Sequence, residues 1–447
     1  MSAQTTSPRR RTQVNDLGPI TVAHDYFTQR GGAERVACAL VDSLDPERVV
    51  TALHEADATF AFARRHEVET TILQPFRRLR SDPRLAFLAL PFAWRLLAPV
   101  TRGTVICSSS GWSHYLRIRG DATKVVYCHN PARWLYQPED YVKDRSLFVR
   151  AVLSLVRPLL TRLDRAAARS ADVYVANSHS VADRIQGAYG VTAMVIPPPI
   201  SLDSTGAQRP VVLPTERFFL TVGRERGYKN TGVLAAAFAQ MPQEHLVVVG
   251  AEATDGGPGN VSYLPHVSDS ELRWLYRHAR ALVSVSNEDF GLTPLEANAM
   301  GTPALVLRAG GFLDSLAEGV SGLFIEESTP GSVVRAVKAF PTDWDHLAVR
   351  RHADQFSVEN FTRRLLSAAS MARTERAAGA AQRIRHAARR STLRSGRVAT
   401  AMHFGFVAPL PAPRTASALP RGHRVHTSDA PSAAEEWGPP PTTSIRA

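Results

Sequence analysis

Short apolar runs alternate along this chain with longer stretches whose apolar residues recur every three or four positions. Ile20-Thr21-Val22-Ala23 reads as a short buried strand, and 32–44 carries helical spacing. Further buried strands are predicted at 104–107, 124–127, 172–176 and 193–196, with helices at 146–170 and 178–189. Pro197-Pro198-Pro199 and the coil residues after it break the rhythm. A second series then predicts strands at 218–222, 245–249, 261–264, 281–285, 304–307 and 323–325. Its helices fall at 231–240, 269–278, 294–300, 333–340 and 358–371. Strand-helix alternation of this kind implies parallel sheets wrapped by helices. The expected fold class is therefore α/β, with two doubly wound, Rossmann-like domains facing across a cleft. Ligands bind such sheets beyond the carboxyl ends of their strands.

The organisation expected from this pattern is a disordered leader over 1–18, a first domain over 19–200 and a linker over 201–215. A second domain follows over 216–357, then a C-terminal helix over 358–373 that crosses back to the first domain. A basic, Pro-rich disordered tail is expected over 374–447, within which 383–397 has the makings of a basic helix. At 447 residues, two domains and a tail is the natural division. The net charge of +12 is unevenly placed: twelve arginines face four acidic residues between Met371 and Ala447. The rest of the chain is nearly balanced, which speaks against a nucleic-acid surface on the folded part. No apolar run reaches bilayer-spanning length, and the residues after Arg9-Arg10-Arg11 are too polar for a secretion signal. Three scattered cysteines, Cys38, Cys107 and Cys128, lack metal-ligand spacing and fit a reduced, cytoplasmic setting as packing residues.

The segment richest in chemistry is Glu288-Asp289-Phe290-Gly291-Leu292-Thr293-Pro294-Leu295-Glu296. A strand runs into it, and Pro294 suits a first helical turn, where its missing N–H costs nothing. The amides of Gly291 to Thr293 then sit at a helix N-terminus, a ready place for an anion. With a carboxylate at each end and phosphates between, the segment has a geometry for a nucleotide-sugar. Glutamates in a first helical turn also favour the helix dipole without any ligand. The same domain opens with Gly223-Arg224 and, five positions on, Lys229, a planar fork and a point charge that together suit a diphosphate. Loop charges of this kind are otherwise simply solvated. Gly31-Gly32, after the first strand, lets backbone approach a ligand closely or makes a plain turn. His129 follows another strand end, and position alone leaves it either a cleft residue or a hydrogen-bonded structural one.

Taken in order, Gly31-Gly32, His129, Gly223-Arg224 with Lys229, and Glu288 with Glu296 resemble glycosyltransferase family 4 over roughly 20–371. The resemblance implies a GT-B fold and a retaining enzyme using a nucleotide-diphosphate sugar, GDP-mannose or a UDP-hexose. It implies that Glu288 binds sugar hydroxyls, Glu296 the ribose, and Arg224 with Lys229 the leaving diphosphate. The amides of Phe290, Gly291, Leu292 and Thr293 would fix phosphate and sugar, Gly31 and Gly32 would admit the diphosphate, and His129 would touch the donor sugar near the reacting carbon. It implies no metal and no other cofactor, because the basic pair does the electrostatic work. The charged loop Glu225-Arg226-Gly227-Tyr228 departs from the pattern, so Arg226 is a competitor for the phosphate role, and the basic tail lies outside it.

A glycan or lipid-linked acceptor is expected from the resemblance, with mannose slightly favoured as the sugar. Two stretches, 75–99 and 146–169, mix arginines with leucines and aromatics in a way that suits an anionic membrane surface, although core helices look similar. A peripheral position at the inner face of the cell membrane would follow. The competing readings are a nucleotide-sugar epimerase or hydrolase on the same fold, and a nucleic-acid-binding protein acting through its basic tail.

Overall fold

The computed structural model describes residues 16–60, 66–137, 147–200, 202–223, 229–252 and 257–402. Its first sheet has seven strands: β1 (Ile20–His24), β2 (Arg48–Thr51), β3 (Val68–Thr70), β4 (Thr104–Ser109), β5 (Thr123–Cys128), β6 (Val173–Ala176) and β7 (Ala193–Val195). They are all parallel, in the order β3-β2-β1-β4-β5-β6-β7. The second sheet has six: β8 (Phe219–Val222), β9 (Leu246–Val249), β10 (Val261–Leu264), β11 (Ala281–Ser284), β12 (Ala304–Leu307) and β13 (Gly322–Ile325). These too are parallel, ordered β10-β9-β8-β11-β12-β13.

The helices that matter below are α1 (Gly32–Leu44), α2 (Leu147–Ala168), α3 (His179–Tyr189), α4 (Thr231–Phe238), α5 (Asp269–His278), α6 (Leu292–Ala299), α7 (Pro330–Lys338), α8 (His346–Asp354) and α9 (Val358–Met402). Both faces of each sheet are covered, so successive residues of one strand enter different cores. Val22, Ile106, Val125 and Tyr127 pack on one face of the first sheet, while Ala23, Val105, Cys107 and Val126 pack on the other. Leu220, Val247 and Leu282 similarly oppose Phe219, Val248 and Val283 in the second sheet. This is why the strands read as continuous apolar runs instead of alternating ones.

The expected leader, 1–18, overlaps the folded part at its end. Leu17 is fully buried in the first core, and its carbonyl accepts from Thr104 Oγ1 at 2.9 Å. Residues 1–15 lie outside the described residues. The helix expected to stop at 373 runs on through α9 to Met402, so 374–402 is helical where disorder was expected, and it takes in the 383–397 stretch expected to be able to form a helix. Its Ala/Arg composition is that of a good helix former. The rest of the expected tail, 403–447, lies outside the described residues. The near end of α9 completes the first core: Phe361, Leu365, Leu366, Ala368 and Ala369 pack beside α1 and β1. Arg364 donates to Val195 O, and Arg376 pairs with Asp172 at 2.7 Å.

Candidate functional site

In each sheet the strand order reverses direction at one place, between β1 and β4 in the first and between β8 and β11 in the second. Loops leaving the carboxyl ends of strands at such a point diverge and open a crevice. Lys229 follows β8 and Glu288 follows β11, so the second crevice is flanked by this pair. Lys229 Nζ donates to Glu288 Oε1 at 2.6 Å, and Ser286 Oγ donates to the same oxygen at 2.9 Å. Arg224 and Arg226 lie outside the described residues.

The Glu288 loop is fixed by backbone packing. Gly311 N–H donates to Glu288 O at 2.9 Å, and a Cβ on Gly311 would stand 2.1 Å from Phe290 Cα. Only glycine permits that approach. Gly291, at φ +86°, then turns the chain into α6. The helix starts at Leu292, two residues before the expected Pro294. Pro294 is nonetheless harmless, because the first four N–H groups of a helix have no partner within it. Phe290 is buried, with its ring centroid 5.9 Å from that of Phe356.

Glu296, on α6, is buried, and the Tyr276 hydroxyl of α5 donates to its Oε2 at 2.8 Å. Burial pushes its carboxyl above the usual range, against the pull of the Arg35 guanidinium on α1. That pull comes from the other sheet's helix. Gly32, the first residue of α1, marks the proximity: a Cβ there would make an ordinary 3.7 Å contact with Leu292 Cδ1. Gly31 caps the same helix with extended backbone, and Glu34 lies directly over it. The two crevices therefore meet where the N-termini of α1 and α6 approach.

In the first crevice the register sets His24 opposite Ser108, and Ser109 opposite Cys128. His129 is the next residue along. Its Nε2 lies 2.8 Å from Ser108 Oγ, which in turn is 3.0 Å from His24 Nδ1. Burial holds both imidazoles down to about 4, so both are neutral at physiological pH. Beside them Asp25 accepts from the backbone N–H groups of Ser110, Trp112 and Ser113, which fixes the loop after β4.

The structure thus brings Gly32, Leu292, Lys229, Glu288 and Glu296 into one neighbourhood, with His129 at the crevice of the first sheet. Sequence reasoning passed over Arg35, Tyr276 and Ser286. It also passed over Asp289, although Asp289 stands inside the segment that drew attention first. Among the described residues no group of three or more His, Cys, Asp or Glu side chains is arranged to hold a metal ion. The Asp-x-Asp spacing at Asp343-Trp344-Asp345 serves α8 instead, where the Asp345 carboxylate accepts from the N–H groups of Leu347 and Ala348. All three cysteines are buried free thiols.

Comparison with known proteins agrees with this architecture. A family model described as Glycosyltransferase Family 4 matches residues 30–204, and one described as Glycosyl transferases group 1 matches residues 207–355. The D-inositol 3-phosphate glycosyltransferase of Geodermatophilus obscurus is 31% identical over 244 residues, which cover 46% of this chain and 54% of that protein. The Mycobacterium bovis protein of the same name is 28% identical over 251 residues, covering 47% and 51%. The chain thus spans about half the length of the curated relatives it matches. Among solved structures, the Anabaena protein HepE in complex with UDP-glucose superposes with a TM-score of 0.55 at 18% identity, covering 79% of this chain and 99% of that one. WaaG, a glycosyltransferase involved in lipopolysaccharide biosynthesis, gives a TM-score of 0.53 at 16% identity, covering 79% and 99%. Two adjoining family models, one over each sheet, and the two-sheet GT-B architecture place this chain in glycosyltransferase family 4.

Proposed function

We propose that this protein is a retaining glycosyltransferase that moves a hexose from a nucleotide-diphosphate sugar to a glycan or lipid-linked acceptor. The observation that carries the reading is the meeting of Lys229 and Glu288 at the switch point of the second sheet, with Glu296 along the helix that begins there. A donor would substitute for the Lys229–Glu288 pair. Its diphosphate would take the ammonium, together with Arg224 and the amides of residues 290–293, and its sugar hydroxyls would take the Glu288 carboxylate. Glu296, held by Tyr276, would receive the ribose hydroxyls. Gly31 and Gly32 would admit the diphosphate from the opposite side.

The chemistry follows from charge. Departure of a nucleoside diphosphate builds negative charge on its β-phosphate, and prearranged cations in a water-poor cleft stabilise that charge. The sugar gains oxocarbenium character as the bond breaks. His129, neutral through burial, would offer the sugar a hydrogen bond and not a positive charge. With the basic pair neutralising the diphosphate, the reaction needs no metal. Attack on the face the diphosphate leaves, with that phosphate accepting the acceptor's proton, gives retention.

The resemblance slightly favours GDP-mannose, whereas HepE was solved with UDP-glucose, so guanine and uracil donors are the ones to compare. For the acceptor side, residues 72–96 support a peripheral place at the inner face of the cell membrane. Ile72, Phe76, Leu85, Phe92 and Leu96 are each more than half exposed there, beside the exposed Arg77, Arg78 and Arg95. Leu90, Trp94 and Leu97 of the same stretch are core residues instead. No helix among the described residues is long and apolar enough to cross a membrane.

Thermal unfolding with UDP, GDP and ADP in turn tests the donor site. A ligand that binds only the folded state stabilises it by about 2.7 kcal/mol at a hundredfold excess over Kd. One nucleotide should raise the midpoint, and Glu296→Ala should shrink that rise. No shift with any of the three would sink the reading.

A further inference from the structure

The loop that carries Glu288 is gripped from the other side of the cleft, through its next residue. Asn130 Nδ2 donates to Asp289 Oδ1 at 3.1 Å, and Arg133 Nη2 donates to Oδ2 at 2.5 Å. Arg184 Nη1 donates to Oδ1 at 2.5 Å, while Ser178 Oγ donates to the Asp289 carbonyl at 2.6 Å. Asn130 and Arg133 stand just past β5, immediately after His129. Ser178 caps α3, and Arg184 lies on that helix, braced by Ser180 Oγ at 2.9 Å. Four groups from the first sheet's loops and helices therefore converge on one residue of the second.

Consecutive carboxylates have divided their partners. Glu288 turns to Lys229 within its own half, and Asp289 turns to two guanidiniums in the other. Isolated surface ion pairs contribute little, but here one carboxylate is shared by two arginines and an amide, all partly buried. The bond from Gly311 to Glu288 O and the tight seat of Phe290 leave the loop little freedom to yield between the two. Pulling on Asp289 must move Glu288.

We propose that Asp289 is a positioning residue: its ion pairs with Arg133 and Arg184 lock the first domain onto the Glu288 loop, so that Glu288 takes its working place only when the cleft is closed. The inference rests on the donor-site reading above. Closure motions of this sort complete a catalytic constellation without touching substrate. Asp289 then contributes to turnover and not to nucleotide affinity, which belongs to the second domain.

The test uses the full chain as wild type, Asp289→Ala, Asp289→Glu and Arg184→Ala. Three quantities are read: calorimetric affinity for UDP and GDP, the radius of gyration by solution scattering without nucleotide and with it at saturation, and release of nucleoside diphosphate from UDP-glucose and GDP-mannose. Asp289→Ala should bind nucleotide as wild type does, show a larger radius, and lose kcat by about a hundredfold with KM little changed. Asp289→Glu should recover part of both losses, and Arg184→Ala should reproduce them more weakly, which covers the case in which Asp289→Ala fails to fold. Wild-type radius and kcat in Asp289→Ala would overturn the proposal, as would a loss of kcat at unchanged radius. A wild type that binds neither nucleotide and turns over neither sugar would instead count against the donor-site reading, and the radius comparison would still judge the clamp.

Discussion

Buried histidines at the first crevice show how single side chains here are set by their surroundings. His24 and His129 share Ser108 between them, and burial holds each near 4 against 6.5 when solvated. Between those values the unfolded chain binds more protons than the folded one. Stability should therefore be complete above about pH 6.5 and fall as pH drops toward 4, by up to roughly 3 kcal/mol for each imidazole. Urea unfolding at stepped pH measures this, and His24→Gln should flatten the slope. An unchanged slope would mean that His24 is not the group that titrates. The same neutrality bears on the proposed reaction, since an uncharged His129 would keep its character over the pH range in which the protein is stable.

Elements built from local signals were legible in the sequence. The bounds of α1, α5, β10 and β12 follow from apolar spacing, and the structure adds a capping box of Ser268 and Glu271 at the start of α5. β2 and β3 escaped because Arg48-Val49-Val50-Thr51 has only two apolar residues and Val68-Glu69-Thr70 only one, too few to make an apolar run. Of the site, Glu288, Lys229 and Glu296 stood out because their chemistry is concentrated in short segments. The partners of Asp289 did not, because Asn130, Arg133 and Arg184 lie more than a hundred residues away in the chain. No local pattern encodes a contact of that span. The long-range role of α9 makes a direct prediction at this scale. Phe361 is buried against Tyr127, so Phe361→Ala should destabilise by about 3–5 kcal/mol, read from denaturant midpoints. A loss under 1 kcal/mol, the size expected of an ordinary surface change, would show that α9 merely rests on the first sheet.

Across the whole molecule, charge and apolar exposure are segregated. The excess of arginine lies after Met371, while six of the exposed large apolar residues of the described chain fall within 72–96 and the others are scattered, with Leu155 and Leu159 on α2. If residues 72–96 seat on a membrane, cosedimentation with vesicles should be stronger for anionic than for neutral lipid, weaken with salt, and drop in Phe76→Ser/Phe92→Ser. Equal pelleting with both lipids would remove the membrane from the picture.

The seating of α9 also has a consequence for how the protein is made. Synthesis runs from the N-terminus, so all seven strands of the first sheet leave the ribosome before residues 361–369 exist. Until then the core beside α1 and β1 lacks Phe361, Leu365, Leu366, Ala368 and Ala369, and Tyr127 lacks the ring that packs on it. The core clusters of the second sheet draw on residues 202–344, and the helix α8 that packs beside them, with Val349 and Ala353 buried, is also made before residue 361. The half that is translated first is thus the half that matures last. A shortened product ending near residue 200 would carry an unfinished core and invite chaperone capture or aggregation.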